Sequence, residues 1–216
     1  GQRTLYLERQ LNAFKSGGRK HDFMSVIAAR LEPSDMTPLA RYFSEKGPLP
    51  SASAKSPRLP QFARTNATLP VDFPKGFTRY NTSEDRGLKS IMFAWANDAA
   101  WNSARAKETD LPVGSIVVSE NWRARVDDKG AVLLDEQGRM IPERLESYGV
   151  IAKGQGWGDG IHELLRNGDW NYAVYNAERK RDIETNLAIC FVCHQTRASE
   201  QYLFTRSKLA AAARGQ

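Results

Sequence analysis

The residues best suited to chemistry lie near the C-terminus, where both cysteines of the 216-residue chain occur. They belong to Cys190-Phe191-Val192-Cys193-His194, a C-x-x-C-H segment. Two thiols at this spacing can each add to a vinyl group on one edge of a porphyrin, and the adjacent histidine is then held beneath the iron. The motif therefore predicts one haem c bound covalently through Cys190 and Cys193, with His194 as the proximal iron ligand.

Three other uses of two close cysteines are less consistent with the sequence. A thioredoxin-like redox pair lies near the start of a βαβ unit, which this C-terminal motif does not. A structural zinc site would need two further ligands, and the other histidines are His21 and His162. A disulfide between residues this close would be strained. The motif and the lack of any other cysteine favour haem.

The composition is that of a soluble chain with a core, at 41% apolar and 26% charged residues. No apolar run approaches the roughly 18 residues of a membrane-spanning helix, so we expect no transmembrane segment. The net charge is +6, but residues 67–216 hold twenty basic and twenty acidic side chains. Nucleic-acid binders concentrate basic charge on one face, so we expect no nucleic-acid partner. Because the chain opens on Gly1 rather than Met, we also expect that a segment preceded it.

The elements that must position the motif fall into three regions. Residues 1–46 carry apolar residues at helical spacing and predict a short all-α segment. Residues 47–66 are rich in proline and serine and predict an extended linker. Residues 67–216 read mainly as strands with a few helices and a hairpin turn at Asp127-Asp128-Lys129-Gly130. The predicted fold class is α+β, with a mainly antiparallel sheet in the haem domain.

A glycine-rich stretch surrounds Trp157 before the last predicted strand. Gly154, Gly156, Gly158 and Gly160 alternate with other residues there. Glycine recurs where a turn is tight or where backbone passes close to another group. We therefore predict tight turns in which the chain runs close to its neighbours.

Several segments of the third region, in this order, resemble the cytochrome P-460 family. The segments are Leu69-Pro70, Phe73-Pro74-Lys75-Gly76-Phe77, Leu111-Pro112-Val113-Gly114-Ser115-Ile116-Val117-Val118-Ser119-Glu120, Gly156-Trp157-Gly158, Gly168-Asp169-Trp170-Asn171-Tyr172-Ala173, the C-x-x-C-H motif and Gln201-Tyr202-Leu203-Phe204-Thr205. The resemblance covers about residues 69–210. It implies an antiparallel β domain with one c-type haem, a periplasmic location and a homodimer.

The same resemblance implies a five-coordinate iron with an open distal side. Some members oxidise hydroxylamine, whereas the related cytochromes c prime-beta bind nitric oxide and other small gases. In the hydroxylamine-oxidising members, a strand lysine just before a glutamate is cross-linked to the porphyrin. The equivalent residue here is Ser119, whose hydroxyl is too short and too weak a nucleophile to form that bond. The family's distal arginine aligns near Met92 and Phe93, which are apolar.

Strand alternation gives the candidate distal residues. In a strand over Ser115–Asn121, Val117 and Ser119 share one face, while Val118 and Glu120 share the other. If the resemblance holds, Val117 and Ser119 face the porphyrin, and Phe93 or Trp95 walls the distal side. A slip of one residue would instead turn Glu120 toward the haem. His162 is a further possible distal ligand, although a lone histidine after a glycine-rich turn is more often a surface side chain.

The first 46 residues resemble the distal half of a class I cytochrome c. The matching residues are Gly1-Gln2, Tyr6-Leu7, Gln10-Leu11, Ala13-Phe14-Lys15, Gly18-Arg19, Met24 and Leu39-Ala40-Arg41-Tyr42-Phe43. In that family a methionine at the place of Met24 is the sixth iron ligand. No second C-x-x-C-H exists in this chain, so Met24 is either the axial ligand of a missing haem or a packing methionine.

These observations predict a periplasmic c-type haem protein whose five-coordinate iron binds a small gaseous or nitrogenous ligand such as nitric oxide. Two alternatives remain: an electron-transfer cytochrome, and an enzyme that oxidises hydroxylamine. An electron-transfer partner protein is expected in each case.

Overall fold

The computed structural model describes residues 3–19, 24, 27–29, 31–45, 62, 64–163 and 165–215. The chain divides into two compact units, Gly1–Arg58 and Leu59–Gln216. The sequence-based boundaries, at residues 46 and 66, enclose this division. Most of the predicted proline-rich linker lies outside the described residues.

The first unit contains helix α1 (Thr4–Lys15) and helix α2 (Pro33–Glu45), which contact each other. Buried residues lie on both helices: Phe14 on α1, and Met36 and Ala40 on α2. The hydroxyl groups of Thr4 and Ser44 lie 2.8 Å apart and join the two helices. Apolar residues at helical spacing thus form these two helices, which confirms that this segment is helical.

The second unit is built on a five-stranded antiparallel sheet in which each strand pairs with the next along the chain. The strands are β1 (Phe77–Asp85), β2 (Ser90–Asn97), β3 (Ile116–Ala124), β4 (Pro142–Lys153) and β5 (Trp170–Asn176). This unit also contains helices α3 (Asp98–Arg105), α4 (Ala188–Gln195) and α5 (Arg206–Ala213), and a 3-10 turn at Ala198–Glu200. The α+β prediction is confirmed.

The register of the sheet defines two faces. Ala96, Val117, Ile151 and Tyr172 lie opposite one another on adjacent strands and pack with residues of α3, α4 and α5. We call this the front face. On the back face, Val118 and Val150 pack with Leu69 and Phe73 from the segment before β1.

The local elements follow the sequence signals closely. Asn97 caps α3 by accepting a hydrogen bond from Ala100 N at 3.2 Å. The predicted hairpin turn forms at Asp127–Gly130, where Asp127 Oδ1 accepts from Lys129 N and Ala131 N. The expected close approach in the glycine-rich stretch is confirmed, because a Cβ on Gly158 would lie 2.2 Å from Gly168 O.

Candidate functional site

Helix α4 carries the C-x-x-C-H motif and is short, apolar and defined at both ends by hydrogen bonds. At its start, Asn186 Oδ1 accepts from Ala188 N at 3.1 Å. At its end, Thr196 Oγ1 donates to Cys193 O at 2.8 Å, and Arg197 N donates to His194 O at 2.9 Å. Residues three and four apart on a helix lie on one side. The helix therefore presents Cys190, Cys193 and His194 together.

The helix is fixed to the body of the unit through Phe62 and Phe191. Asn186 Oδ1 accepts from Phe62 N at 3.0 Å, and Leu187 N donates to Phe62 O at 2.7 Å. The Phe191 ring is fully buried and meets the Phe62 and Tyr172 rings edge-on, with centroids 5.4 and 4.7 Å apart. Phe191 thus anchors the motif to the body of the unit.

Both cysteines are free and half-buried. Burial raises the pKa of Cys190 to about 11, and the neighbouring Cys193 adds to this shift. Cys190 is therefore a neutral thiol at physiological pH.

His194 is held by a backbone carbonyl eight residues further along the chain. Its Nδ1 lies 2.6 Å from Tyr202 O. Because a carbonyl oxygen only accepts, the proton is on Nδ1 and the lone pair is on Nε2. A histidine that donates one ring N–H to a carbonyl is the usual form of an imidazole that binds a metal through its other nitrogen.

The turn that delivers this carbonyl has an uncommon backbone. Gln201 and Tyr202 have φ values of 57° and 58°, in the left-handed region that side chains other than glycine seldom adopt. Tyr202 N donates to Arg197 O at 2.7 Å, which closes the turn on the segment after α4. Such residues cost on the order of 1 kcal/mol or more each. The structure therefore tolerates local strain next to His194.

Two aromatic rings enclose the imidazole. The Tyr172 ring lies 4.8 Å from it in a tilted arrangement, and the Phe204 ring meets it edge-on at 5.0 Å. Burial lowers the pKa of His194, against an opposing effect of its bond to Tyr202 O. Burial therefore favours the neutral imidazole, the form that can bind iron.

A buried amide joins this ring cluster to the helix. Asn167 is completely buried, and its Nδ2 donates to Tyr172 Oη at 2.8 Å and to Phe191 O at 2.9 Å. Its Oδ1 has no hydrogen-bond partner among the described residues. Both Asn167 bonds end on groups that touch the C-x-x-C-H helix or its histidine.

On the front face, the row formed by Ala96, Val117, Ile151 and Tyr172 packs against the helices. The next row along the strands is made of small residues. Ala94, Ser119, Gly149 and Val174 lie opposite one another across four strands. A Cβ on Gly149 would lie 2.6 Å from Ser119 Oγ, so the row is flat where these two strands meet. Ser119, Gly149 and Val174 are half-buried although they lie mid-sheet. The next row is formed by Met92, Asn121, Ser147 and Asn176.

The four distal residues predicted from the sequence do not share one face. Val117 and Ser119 lie on the front face, and Val117 packs in the same cluster as Phe191 and Cys190. Phe93 pairs with Glu120, and Trp95 pairs with Val118, so both lie on the back face. Trp95 Nε1 also donates to Glu120 Oε2 at 3.0 Å. The expectation that Phe93 or Trp95 walls the same pocket as Ser119 is therefore corrected: side chains alternate along β2, and Met92 and Ala94 face the Ser119 side.

Other residues singled out from the sequence lie elsewhere. His162 is exposed, in the loop before β5. Met24 is half-buried and belongs to the first unit. Arg179, in the basic run Arg179-Lys180-Arg181 after β5, donates to Val71 O and Phe73 O at 2.9 and 2.6 Å. It therefore fastens the loop after β5 to the segment before β1.

The residues present fit a covalently bound haem. The two thiols and the imidazole stand on one side of α4, and the tautomer of His194 leaves the lone pair of Nε2 able to bind a metal. The front face beyond Tyr172 is flat where Ser119 meets Gly149, and it is half-open there. Among the described residues, no three His, Cys, Asp or Glu side chains group as a metal site. No helix in the described part of the chain is long and apolar enough to cross a membrane.

Residues 70–205 match the family described as Cytochrome P460. No curated protein matches the chain. The matched range contains all five strands, the C-x-x-C-H motif and the turn that binds His194.

Proposed function

Because the chain belongs to the cytochrome P460 family, and is thus a haem protein, we propose that it holds one haem c through Cys190 and Cys193. His194 is the only axial ligand that the protein supplies to the iron, and the vacant position binds a small ligand such as nitric oxide. Each thiol adds its sulfur to one vinyl carbon and its hydrogen to the other, so attachment consumes no oxidant. The bound haem supplies an iron that takes up the ligand.

The proximal half of this proposal is supported by the environment of His194. Tyr202 O fixes the proton on Nδ1, and Tyr172 and Phe204 restrict the ring. These contacts hold Nε2 available for iron before any haem is bound. Such preorganisation lowers the cost of ligation.

The proposal of an open distal side is carried by one observation: the row of small residues around Ser119 offers no good ligand for iron. Ala94 and Gly149 offer no ligand atom, and Ser119 offers only a hydroxyl, which is a poor ligand for haem iron. A neutral diatomic gas needs room and reduced iron rather than a charged partner. A wall of small, mostly apolar groups suits such a ligand.

Hydroxylamine oxidation is disfavoured by Ser119, which stands where the resemblance places the cross-linking lysine. Glu120, a candidate proton acceptor, lies on the back face and bonds Trp95. The front face near Ser119 thus lacks both the amine needed for a cross-link and the adjacent carboxylate. We expect hydroxylamine turnover to be absent or slow.

A pure electron carrier remains the second candidate because of Met92. Its side chain lies on the front face, one row beyond Ala94 and Ser119. Methionine opposite histidine is the ligand pair of electron-transfer cytochromes c. Bound in that way, Met92 would occupy the position that a gas needs.

Optical spectra of the reduced protein with and without nitric oxide separate the two candidates. A five-coordinate high-spin spectrum that changes on adding nitric oxide, and is the same in Met92→Leu, is the expected result. A six-coordinate low-spin spectrum that Met92→Leu converts to high-spin would overturn the proposal in favour of the carrier. A red-shifted Soret band with brisk hydroxylamine oxidation would overturn it in favour of the enzyme.

Three further parts of the proposal concern the location of the protein, its oligomeric state and its partner. We propose a periplasmic location, a homodimer and an electron-transfer partner protein, all on the family resemblance. Sedimentation analysis of the purified protein tests the dimer. A monomer at micromolar concentration would contradict that part alone.

A further inference from the structure

We infer that Asn167 is a positioning residue that sets the orientation of the proximal histidine through Tyr172. The inference rests on the proposed function, because it concerns the iron ligand His194. It extends that function to a residue outside the C-x-x-C-H motif, 27 positions before His194.

The first step is that Asn167 uses both of its amide protons. One is donated to Tyr172 Oη and the other to Phe191 O, at 2.8 and 2.9 Å. Phe191 lies inside the motif, so this single side chain ties β5 to helix α4. Its complete burial protects both bonds from competition with water.

The second step is that Tyr172 transmits this restraint. Its ring lies against two members of the motif, with centroids 4.7 Å from Phe191 and 4.8 Å from His194. The Asn167 bond at the far end of the ring limits its tilt, and the ring in turn limits rotation of the imidazole.

The third step concerns the identity of the residue. Asn167 Oδ1 has no partner among the described residues, so an amide is needed here for its two donors rather than for its oxygen. A buried acceptor without a partner destabilises the folded state. A leucine of similar size would avoid that cost but would make neither bond.

The chain offers a matched control in Asn171. It is also buried, and its side chain makes two bonds: Oδ1 accepts from Asn66 N at 3.1 Å, and Nδ2 donates to Trp157 O at 3.2 Å. Asn171 pairs with Ala152 on the back face, away from His194. Loss of Asn171 should therefore weaken the fold without disturbing the proximal ligand.

The test compares the wild type with Asn167→Leu, Tyr172→Phe and Asn171→Leu. Mass spectrometry first checks that each variant carries its haem. The iron–histidine stretching band of the reduced protein, read by resonance Raman spectroscopy, then reports the proximal bond, and electron paramagnetic resonance of the nitric oxide adduct reports its coordination. Neither measurement responds to stability alone.

We expect the iron–histidine band to shift and broaden in Asn167→Leu and, to a smaller extent, in Tyr172→Phe, which keeps the ring but loses the hydroxyl. The fraction of five-coordinate nitric oxide adduct should rise in the same order. Asn171→Leu should keep both wild-type signatures. If Asn167→Leu fails to fold, Tyr172→Phe decides alone, because it is a smaller change.

Wild-type signatures in both Asn167→Leu and Tyr172→Phe would overturn the inference and leave the proposed function intact. A band that shifts equally in Asn171→Leu would also overturn it, because the effect would then be general loosening. A wild-type protein with no iron–histidine band would overturn the proposed function, and the inference with it.

Discussion

At the scale of single residues, His194 depends on groups that the motif itself does not contain. Its tautomer is fixed by a main-chain carbonyl, Tyr202 O, and its ring is bounded by Tyr172 and Phe204. The carbonyl reaches the imidazole only because Gln201 and Tyr202 take left-handed backbone angles. The environment of His194 is thus formed by the turn that follows the motif as much as by the motif.

Replacing His194 by alanine tests its role as ligand. Both thiols remain in His194→Ala, so we expect the haem to stay attached and the spectrum of five-coordinate histidine ligation to disappear. Added imidazole should restore that spectrum, because it fills the space left by the side chain. The control is His162→Ala, which removes an exposed histidine in the loop before β5 and should leave the spectrum unchanged. An unchanged spectrum in His194→Ala would contradict ligation by this residue.

At the scale of elements, the glycine-rich loop before β5 is packed too closely for side chains at two positions. A Cβ on Gly154 would lie 2.1 Å from the Trp157 ring, and one on Gly158 would lie 2.2 Å from Gly168 O. The loop is further held by Asp169, whose carboxylate accepts from Gly156 N and Gly158 N. The loop joins β4 to β5 and so places Asn167 and Tyr172 beside α4.

Gly158→Ala should lower the free energy of unfolding by about 2–3 kcal/mol, because backbone must move to admit the methyl group. Gly160→Ala is the control: its φ is +76°, but nothing lies within 4 Å of the added Cβ. Only backbone strain remains there, worth about 1 kcal/mol. Chemical denaturation of both variants gives the comparison, and equal losses would contradict the close approach at Gly158.

Helix α5 is joined to the sheet by a bond between Tyr80 on β1 and Thr205. The two hydroxyl groups lie 2.6 Å apart. Burial raises the pKa of Tyr80 to about 12, although Thr205 and Arg206 both act to lower it. The folded protein therefore keeps its proton on Tyr80 at pH values where the unfolded chain loses it.

This difference predicts a loss of stability at alkaline pH. Because the pKa is higher in the folded state, the contribution is complete below pH 10 and is lost as the pH rises from about 10 to about 12. Tyr80→Phe should cost about 1 kcal/mol at neutral pH through the lost hydrogen bond, and its stability should fall less steeply across that window. Denaturation measured from pH 8 to pH 12 checks this, and parallel curves for the two proteins would contradict it.

Features that depend on a few adjacent residues could be predicted from the sequence. The capped helix at Asn97, the Asp127 hairpin and the glycine-rich turns were predictable because a few adjacent residues decide each of them. Assigning Phe93 and Trp95 to the Ser119 side was wrong because it required the pairing of β2 with β3, and a shift of one residue exchanges the faces of a strand. With that pairing known, strand alternation would have identified Met92 as a residue on the Ser119 side of β2.

Other features of the site could not have been predicted from the sequence. The contact of Tyr202 O with His194 depends on two left-handed residues that are not glycine. The two hydrogen bonds of Asn167 depend on packing between β5 and α4, which are separated by a loop in the chain. No local pattern marks either contact.

At the scale of the whole molecule, all features of the candidate site lie in one of the two units. The unit Leu59–Gln216 contains the sheet, helices α3 to α5, the motif and the residues that bound His194. All three buried clusters assigned to the sheet and these helices are formed by its residues. The first unit has its own buried residues, Phe14, Met36 and Ala40.

A fragment of residues 59–216 should therefore fold and carry haem without the first unit. At this length a chain can bury a core of its own, and Phe62, which bonds Leu187 and Asn186 beside the motif, is kept. We expect the same haem mass, reduced spectrum and nitric oxide response as in the full chain. A fragment of residues 63–216 is the sharper companion, because it lacks Phe62 but keeps Asn66. It should show a looser helix α4 and a stability lower by a few kcal/mol, since two hydrogen bonds and a ring contact with Phe191 are lost. Equal stability of the two fragments would contradict the role of Phe62, and a 59–216 fragment that holds no haem would mean that the first unit takes part in forming the site.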